Sequence, residues 1–533
     1  MSGSASTPVS SSGVAWGTPA ARWMLAATVL GSGMAFLDST VVTVALPAIE
    51  HELDTGLAGQ QWIVNGYMIT LSALILLSGS LADRFGRVRL FMVGIAVFAV
   101  ASALCSMAPT LELLVAGRVA QGVGGALLTP GSLAILQAGF REDDRARAIG
   151  AWSGLTGVAS AVGPFVGGWL VQIGDWRLIF LINLPLAAVV LAIAWFKVPE
   201  SRDPSAPRNL DYSGALLGVV ALGGITYALI QWGAVGATPA VLVGAGVGVV
   251  ALVVFLVVEA RKRAPMLPLS IFRSVPFSVT NAATVMIYAA LGTLLFLLVI
   301  YLQEVGGFSP IAAGAASLPL TVLMLLLSAR SGDLASKIGP RPQLIAGPLL
   351  LAAGLVYLSR MPTDPGYLVD VFPGILLVAM GMSATVAPLT ATVLASAAER
   401  HAGLASGVNN TFARGAQMIG VAAVPALAGI GGGSGGQAGT SALAQGFGPA
   451  MLILAGLAVV AALCAVALPR GRMPEAREAA ERGAVPEEEA PVAGPGPGEH
   501  APLFCGVSGP PMRSCPGSSA GHTEEGPASG AGR

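Results

Sequence analysis

The sequence predicts an all-α integral membrane protein, on three observations. Of its 533 residues, 54% are hydrophobic and 11% are charged, whereas a soluble globular chain carries roughly 25% charged residues. Apolar stretches of the about 20 residues needed to cross a bilayer recur almost without pause up to Leu468. The few basic residues fall in alternate connections, the pattern that charge bias imposes on membrane topology.

Fourteen spans are expected, at 23–47, 61–81, 88–108, 112–136, 147–172, 177–197, 213–233, 240–259, 277–302, 310–329, 342–360, 368–395, 403–428 and 449–468. Residues 1–21 are rich in Ser, Gly, Thr and Pro with no basic residue before Arg22. They read as a disordered cytoplasmic arm and lack a secretory n-region, so the first span is retained as an anchor. The short connections make neighbouring spans antiparallel and leave no room for a soluble domain between them. One side carries Arg84, Arg87, Arg89, Arg141, Arg145, Arg147, Lys197, Arg202, Arg208, Arg261, Lys262, Arg263, Arg273, Arg330, Lys337, Arg341 and Arg400. The other holds Arg177 and Arg360 among Glu50, Glu52, Asp54, Asp175, Glu304, Asp364 and Asp370. The basic side is therefore read as cytoplasmic, with both termini on it. The tail at 470–533, rich in Pro, Gly and Glu, is expected to be disordered and cytosolic.

Several function classes are excluded. Lys plus Arg and Asp plus Glu are 28 each, so no net field attracts nucleic acid. None of the lysines, Lys197, Lys262 and Lys337, follows a glycine, so no P-loop exists. His51, His401, His500 and His522 stand far apart, and no common zinc spacing links the tail's His500, Cys505, Cys515 and His522. All four cysteines, with Cys105 and Cys464 in apolar runs, read as reduced thiols. No metal site, cofactor or catalytic group is expected, and no nucleophile and base pair points to a membrane enzyme.

Gly79-Ser80-Leu81-Ala82-Asp83-Arg84-Phe85-Gly86 recurs as Gly332-Asp333-Leu334-Ala335-Ser336-Lys337-Ile338-Gly339, each copy at a helix end on the basic side. Such repeated halves build many secondary transporters. Ser336 stands where the first copy has Asp83, so the halves differ chemically.

Charges within a bilayer cost roughly 2.5 to 3.5 kcal/mol each on insertion scales, so each marks a site. Asp38 is the acid placed well inside a span, and Arg118 and Arg414 are the spanning bases. At about 1.5 Å per residue, Asp38 lies about 22 Å from the start of span 1 and Arg118 about 9 Å into span 4, both in the outer half, where they can meet. Asp38 is expected to bind a proton or cation, its affinity set by burial against attraction to Arg118, the alternative being a static ion pair that orients two helices. Gly79 and Gly86 permit close backbone approach, Asp83 suits a helix N-terminus, and Arg84, Arg87 and Arg89 can pair with it or with lipid, together a conformational latch. Span 5 carries Gly150, Gly154, Gly157, Gly163, Pro164, Gly167 and Gly168, which permit a bend and a small-residue face at Gly163 and Gly167. Asn409, Asn410 and Arg414 are polar candidates in the second half, either for contacts with substrate or for inter-helix glue.

Together these segments resemble the major facilitator superfamily, specifically its fourteen-helix drug:proton antiporters. Leu37-Asp38-Ser39-Thr40-Val41-Val42-Thr43-Val44-Ala45-Leu46-Pro47 is similar to that branch's first-helix signature, with Thr43 in place of its usual Asn. Gly79 to Arg87 fits the superfamily's loop motif, Leu114 to Gly125, with Arg118, Gln121 and Gly122, its helix-4 motif, and Gly163-Pro164-Phe165-Val166-Gly167-Gly168 the antiporter motif, in which one earlier glycine is Ala159. Trp176 to Pro185, which includes Asn183, also resembles the branch. The resemblance spans residues 22 to 468. It implies two six-helix bundles, 22–198 and 276–469, with helices 7 and 8 inserted at 199–275, and alternating access around a central cavity. It also implies that Asp83 and its arginines stabilise the outward-facing state, that Arg118 assists proton transfer, and that the Gly-Pro helix marks an exporter.

The expected function is proton-driven efflux of an amphipathic, aromatic or cationic drug, antibiotic or metabolite by a monomer in the plasma membrane, with small molecule, protons and lipid bilayer as its partners. The alternatives are an uptake symporter or facilitator on the same fold, and a membrane-embedded sensor or scaffold acting through the tail.

Overall fold

The computed structural model describes residues 13–202, 210–262, 265–396, 402–430 and 437–468. The tail at 470–533, its His and Cys residues, and the first part of the arm lie outside the described residues. The helices are α1 (Pro19–Leu53), α2 (Gly56–Phe85), α3 (Arg87–Ser106), α4 (Leu111–Gly139), α5 (Glu142–Ile173) and α6 (Leu178–Lys197). They continue with α7 (Tyr212–Val235), α8 (Pro239–Arg261), α9 (Val275–Glu304), α10 (Pro310–Ile338) and α11 (Pro340–Leu358). The last three are α12 (Tyr367–Ala395), α13 (Ala402–Leu427) and α14 (Gln437–Val466). Thirteen are long and apolar enough to span a bilayer, and the more polar α13 completes the expected fourteen.

Helix ends follow local chemistry. Thr18 caps α1, accepting from Ala21 N–H, and Thr110 caps α4, accepting from Leu113 N–H. The sequence repeat marks equivalent joints. Gly86, at φ 111°, is the single residue between α2 and α3, and Gly339, at φ 84°, is the single residue between α10 and α11. Only glycine adopts such backbone without strain.

One expectation at the N-terminus is corrected. Part of the supposed disordered arm is held in place, since Val14 N–H donates to Gly139 O at 2.7 Å and Trp16 N–H to the Asp144 carboxylate at 2.8 Å. The Trp16 ring also lies 4.7 Å below the Arg147 guanidinium.

Two six-helix bundles result. In the first, α1 packs on α5, α6 and α4, and α4 packs on α2 and α3; in the second, α11 packs on α12 and α14, α9 on α13 and α14, and α10 on α12. The hairpin of α7 and α8 leans on α2 and α13 and turns Leu242, Val243, Val247, Val250 and Val253 outward, the surface a helix presents to lipid. The bundles meet through α2 with α13, α5 with α10, and α1 with α9.

Burial differs between the two ends of this interface. Toward the acidic end, one continuous apolar cluster joins Val41, Leu46, Ile49, Ile63 and Leu170 of the first bundle to Leu294, Leu297, Tyr301, Ala313 and Val421 of the second. Toward the basic end the cores are separate, Met24, Phe91, Phe98 and Phe140 belonging to the first bundle and Phe277, Val393, Ala405 and Val408 to the second. The bundles thus share one core toward the acidic end, beside a cavity lined by residues of both, and have separate cores at the basic end. Hydrogen bonds across the seal run from Gln61 to Val421 O at 2.6 Å and from Gln303 to Val44 O at 3.0 Å, beside a 3.3 Å His51–Glu304 pair.

Candidate functional site

Asp38 and Arg118 meet as their depths predict. Asp38 is 0% exposed and Arg118 1%, with Arg118 Nη1 at 2.5 Å from Asp38 Oδ2. The second carboxylate oxygen accepts from Asn183 Nδ2 at 3.0 Å and Gln121 Nε2 at 3.2 Å. The guanidinium also donates to Gln121 Oε1 at 2.8 Å and, through Nε, to Ile63 O at 3.0 Å, and it lies 4.6 Å over the Tyr67 ring. Ser102 Oγ closes the network, accepting from Gln121 at 2.8 Å and Asn183 at 3.3 Å. A buried ion pair is tolerated only when most of its remaining polar valences are met, and here both carboxylate oxygens and two of the three guanidinium nitrogens are hydrogen-bonded.

The pair belongs to the interior of the first bundle. Asp38 faces Ser102 of α3, Arg118 of α4 and Asn183 of α6, and in this conformation it opens on no cleft between the bundles. Gln121 and Asn183 lay within stretches already marked in the sequence, yet their link to Asp38 required three helices to be rotated toward one point. Ser102 and Tyr67 carried no signal beyond being polar in apolar runs.

The antiporter helix divides at its middle. A side chain atom on Gly163 would strike Thr40 Oγ1, one on Gly167 would crowd the Val41 backbone at 3.0 Å, and one on Gly168 the Ile311 backbone at 2.6 Å. Pro164 meets the other bundle too, since a Cβ on Gly314 would lie 2.4 Å from its carbonyl. So α5 wedges between α1 and α10, next to Asp38 on one side and against the second bundle on the other. Gly150, Gly154 and Gly157 instead face open space, and α5 is one unbroken helix. Close approach is thus a property of the 163–168 segment, and Gly150 has no part in it.

The basic-side motif is corrected in two respects. Asp83 does not serve a helix N-terminus; its Oδ1 accepts from Arg87 Nη2 at 2.8 Å and Nε at 2.9 Å within the same turn. The amides at the start of α3 are met by Glu200, which accepts from Val88 N–H at 3.1 Å and Arg89 N–H at 3.0 Å, a site where the helix dipole favours an anion. Gly86 lies against that carboxylate, whereas Gly79 faces open space. Arg84 lies 5.2 Å from the Phe85 ring.

In the second bundle, Asn409 is glue: its amide donates to Asn281 at 3.1 Å and Thr284 at 2.9 Å on α9. Asn410 is exposed and bonds to Ser406 O of its own helix. Arg414 crosses to the first bundle, 5.8 Å from the Phe36 ring.

A further charged cluster, not singled out in the sequence, sits where α7 and α8 reach the basic end. Lys262 bonds Asp211, and the 2% exposed Glu259 accepts from Leu267 N–H at 2.7 Å. Burial pushes the Asp211 carboxyl up, but hydrogen bonds involving Glu259, Lys262 and Gly214 N–H outweigh it and hold it at about 2. At the opposite end, a cavity of about 1140 Å³ is lined by Glu50, His51, Gln60 and Glu304 among others, away from Asp38. Cys105 and Cys464 are unpaired thiols.

The chain matches the Major Facilitator Superfamily over residues 28–421. It is 35% identical over 425 residues to the methylenomycin A resistance protein of Bacillus subtilis, covering 79% of this chain and 89% of that one. It is 36% identical over 435 residues to the tetracenomycin C resistance and export protein of Streptomyces glaucescens, covering 80% and 78%. Its fold is shared with a bacterial homologue of the human lysosomal transporter Spinster, at a TM-score of 0.60 and 18% identity over 84% of this chain and 96% of that one. With this match, these relatives and the two bundles, the chain is a multi-pass membrane protein and belongs to the major facilitator superfamily.

Proposed function

We propose that the protein is a plasma-membrane exporter that expels an antibiotic, drug or amphipathic secondary metabolite in exchange for protons and so confers resistance. It is a transporter and not an enzyme, and the proton gradient replaces any cofactor. Resistance and export proteins among its relatives support the direction of transport. Residues 22–198 and 276–469 act as the two rocking bodies of a monomer, and 199–275 links them. With the basic end in the cytoplasm, the separate cores there support reading this conformation as inward-facing.

The observation that carries the coupling is the sealed Asp38–Arg118 pair set one residue away from the α1 to α5 to α10 contact. A proton on Asp38 cancels its attraction for Arg118, whose other acceptors are the uncharged Gln121 Oε1 and Ile63 O. Loosening that grip shifts α1 against Gly163 and Gly167, and α5 carries the shift to Ile311 of the second bundle. A packed interface of this kind has discrete arrangements, so a local charge change selects between them. Binding energy at one site is then exchanged for binding energy at another.

The test collapses the proton gradient with a protonophore in cells producing the protein while ATP is maintained. Efflux of a compound to which the cells are resistant should stop. Efflux that continues with ATP alone overturns the proposal.

A further inference from the structure

Three charged side chains lie in the middle of the helices, and they are not equivalent. Asp38 and Arg118 neutralise one another. Arg414 has no such partner: among the described residues it makes no salt bridge or hydrogen bond, and its contact is the Phe36 ring at 5.8 Å. The groups that feel its charge are two tyrosines, Tyr67 of α2 and Tyr288 of α9. Phe36 belongs to the first bundle and Arg414 to the second, so the guanidinium reaches across the interface to an aromatic ring. Phe36, Tyr288 and Arg414 are only half-buried, and the neighbouring Asn410 is exposed, so the place is not packed shut.

A guanidinium kept in low dielectric without a counter-charge is costly, and a partner that supplies an anion there gains what the protein leaves unmet. Lipid phosphate does not reach it. Arg414 is twelve residues from Ala402, about 18 Å along the helix, near the level of the bilayer centre. The guanidinium fork matches a carboxylate or another planar acid, and the rings beside it match an aromatic body. Among the described residues, no unpaired carboxylate is placed beside it to receive a cation.

We infer that Arg414, beside the Phe36 ring, seats an acidic group of the substrate, so that the compounds exported are preferentially aromatic acids rather than cations. This rests on the export reading for its biological meaning, but the charge preference is a binding property and is tested without transport.

Three probes share one ring system and differ in charge: 1-naphthoate, 1-naphthamide and 1-naphthylmethylammonium. Binding is measured on the full chain in nanodiscs, with empty nanodiscs subtracted, in gluconate and in chloride buffer. Wild type should bind the naphthoate about tenfold or more tightly than either other probe, the scale of a desolvated charge-assisted contact. Arg414→Gln should reduce that preference to near unity, Arg414→Lys should keep part of it, and Gly154→Ala, at a glycine that faces open space, should leave it intact. An amide or ammonium probe bound as tightly as the acid, or a preference surviving Arg414→Gln, overturns the inference. So does a preference present in gluconate and abolished by chloride, which would assign the seat to a small inorganic anion. If efflux proves independent of the proton gradient while the preference persists, the coupling reading fails and this inference stands.

Discussion

At the residue scale, the centre of the protein is an ion pair in which both carboxylate oxygens of Asp38 and the Nε and Nη1 of Arg118 are hydrogen-bonded. Removing one member strands the other in a dry interior, at a cost of about 3 to 5 kcal/mol. Asp38→Ala and Arg118→Ala should therefore each lower the thermal unfolding midpoint of the purified protein, and the double substitution should lower it by less than the two effects added. Strict additivity would mean that the two side chains are not coupled. Asp38 and Arg118 were legible because a lone charge in an apolar run has few explanations and the helix rise fixes its depth. Their partners Ser102, Gln121 and Asn183 were not, because which face a helix turns inward depends on its neighbours. The isolation of Arg414 was hidden for the same reason: a partner's absence is visible only in three dimensions.

At the element scale, α5 shows that one glycine-rich segment has two functions. Gly168 meets the Ile311 backbone across the interface, and Gly154 meets open space. Gly168→Leu should hold the bundles apart at the acidic end, lengthening the distance between spin labels at Thr55 and Ser309, while Gly154→Ala should leave it unchanged. Equal distances in both variants would remove α5 from the seal. The glycine count alone could not separate the two parts, since composition does not say what lies opposite. The joints at Gly86 and Gly339 were legible from their repeat, whereas the capping of α3 by Glu200 was not, being a contact between residues far apart in sequence. On the inserted hairpin, the Asp211 carboxyl is held below its ordinary value, so the stabilisation it gives is present above the usual carboxylate range and is lost only as pH falls through about 2. Asp211→Asn should speed hydrogen exchange at Gly214, whose N–H donates to Asp211 at 2.7 Å. Unchanged exchange would show that this cluster does not anchor α7.

At the scale of the whole molecule, the number and order of the helices were legible because a bilayer permits few solutions to an apolar chain of this length, whereas the two-bundle build came from the family resemblance. The conformation was not. A sequence encodes both arrangements of an alternating machine, and only coordinates show the cores fused at the acidic end and separate at the basic end. In that arrangement Asp83 pairs with Arg87 across the Gly86 joint. On the proposed reading, the link between the sealed pair and the interface is what couples the two bundles to the proton gradient. Its most direct test is uptake into everted vesicles under an imposed pH gradient, acid inside, using a compound to which cells producing the protein are resistant. Wild type should concentrate the compound, whereas Asp38→Asn, inserted at the same level, should still exchange labelled for unlabelled compound but fail to concentrate it. Concentration by Asp38→Asn equal to that of wild type would contradict the role of this carboxylate in coupling.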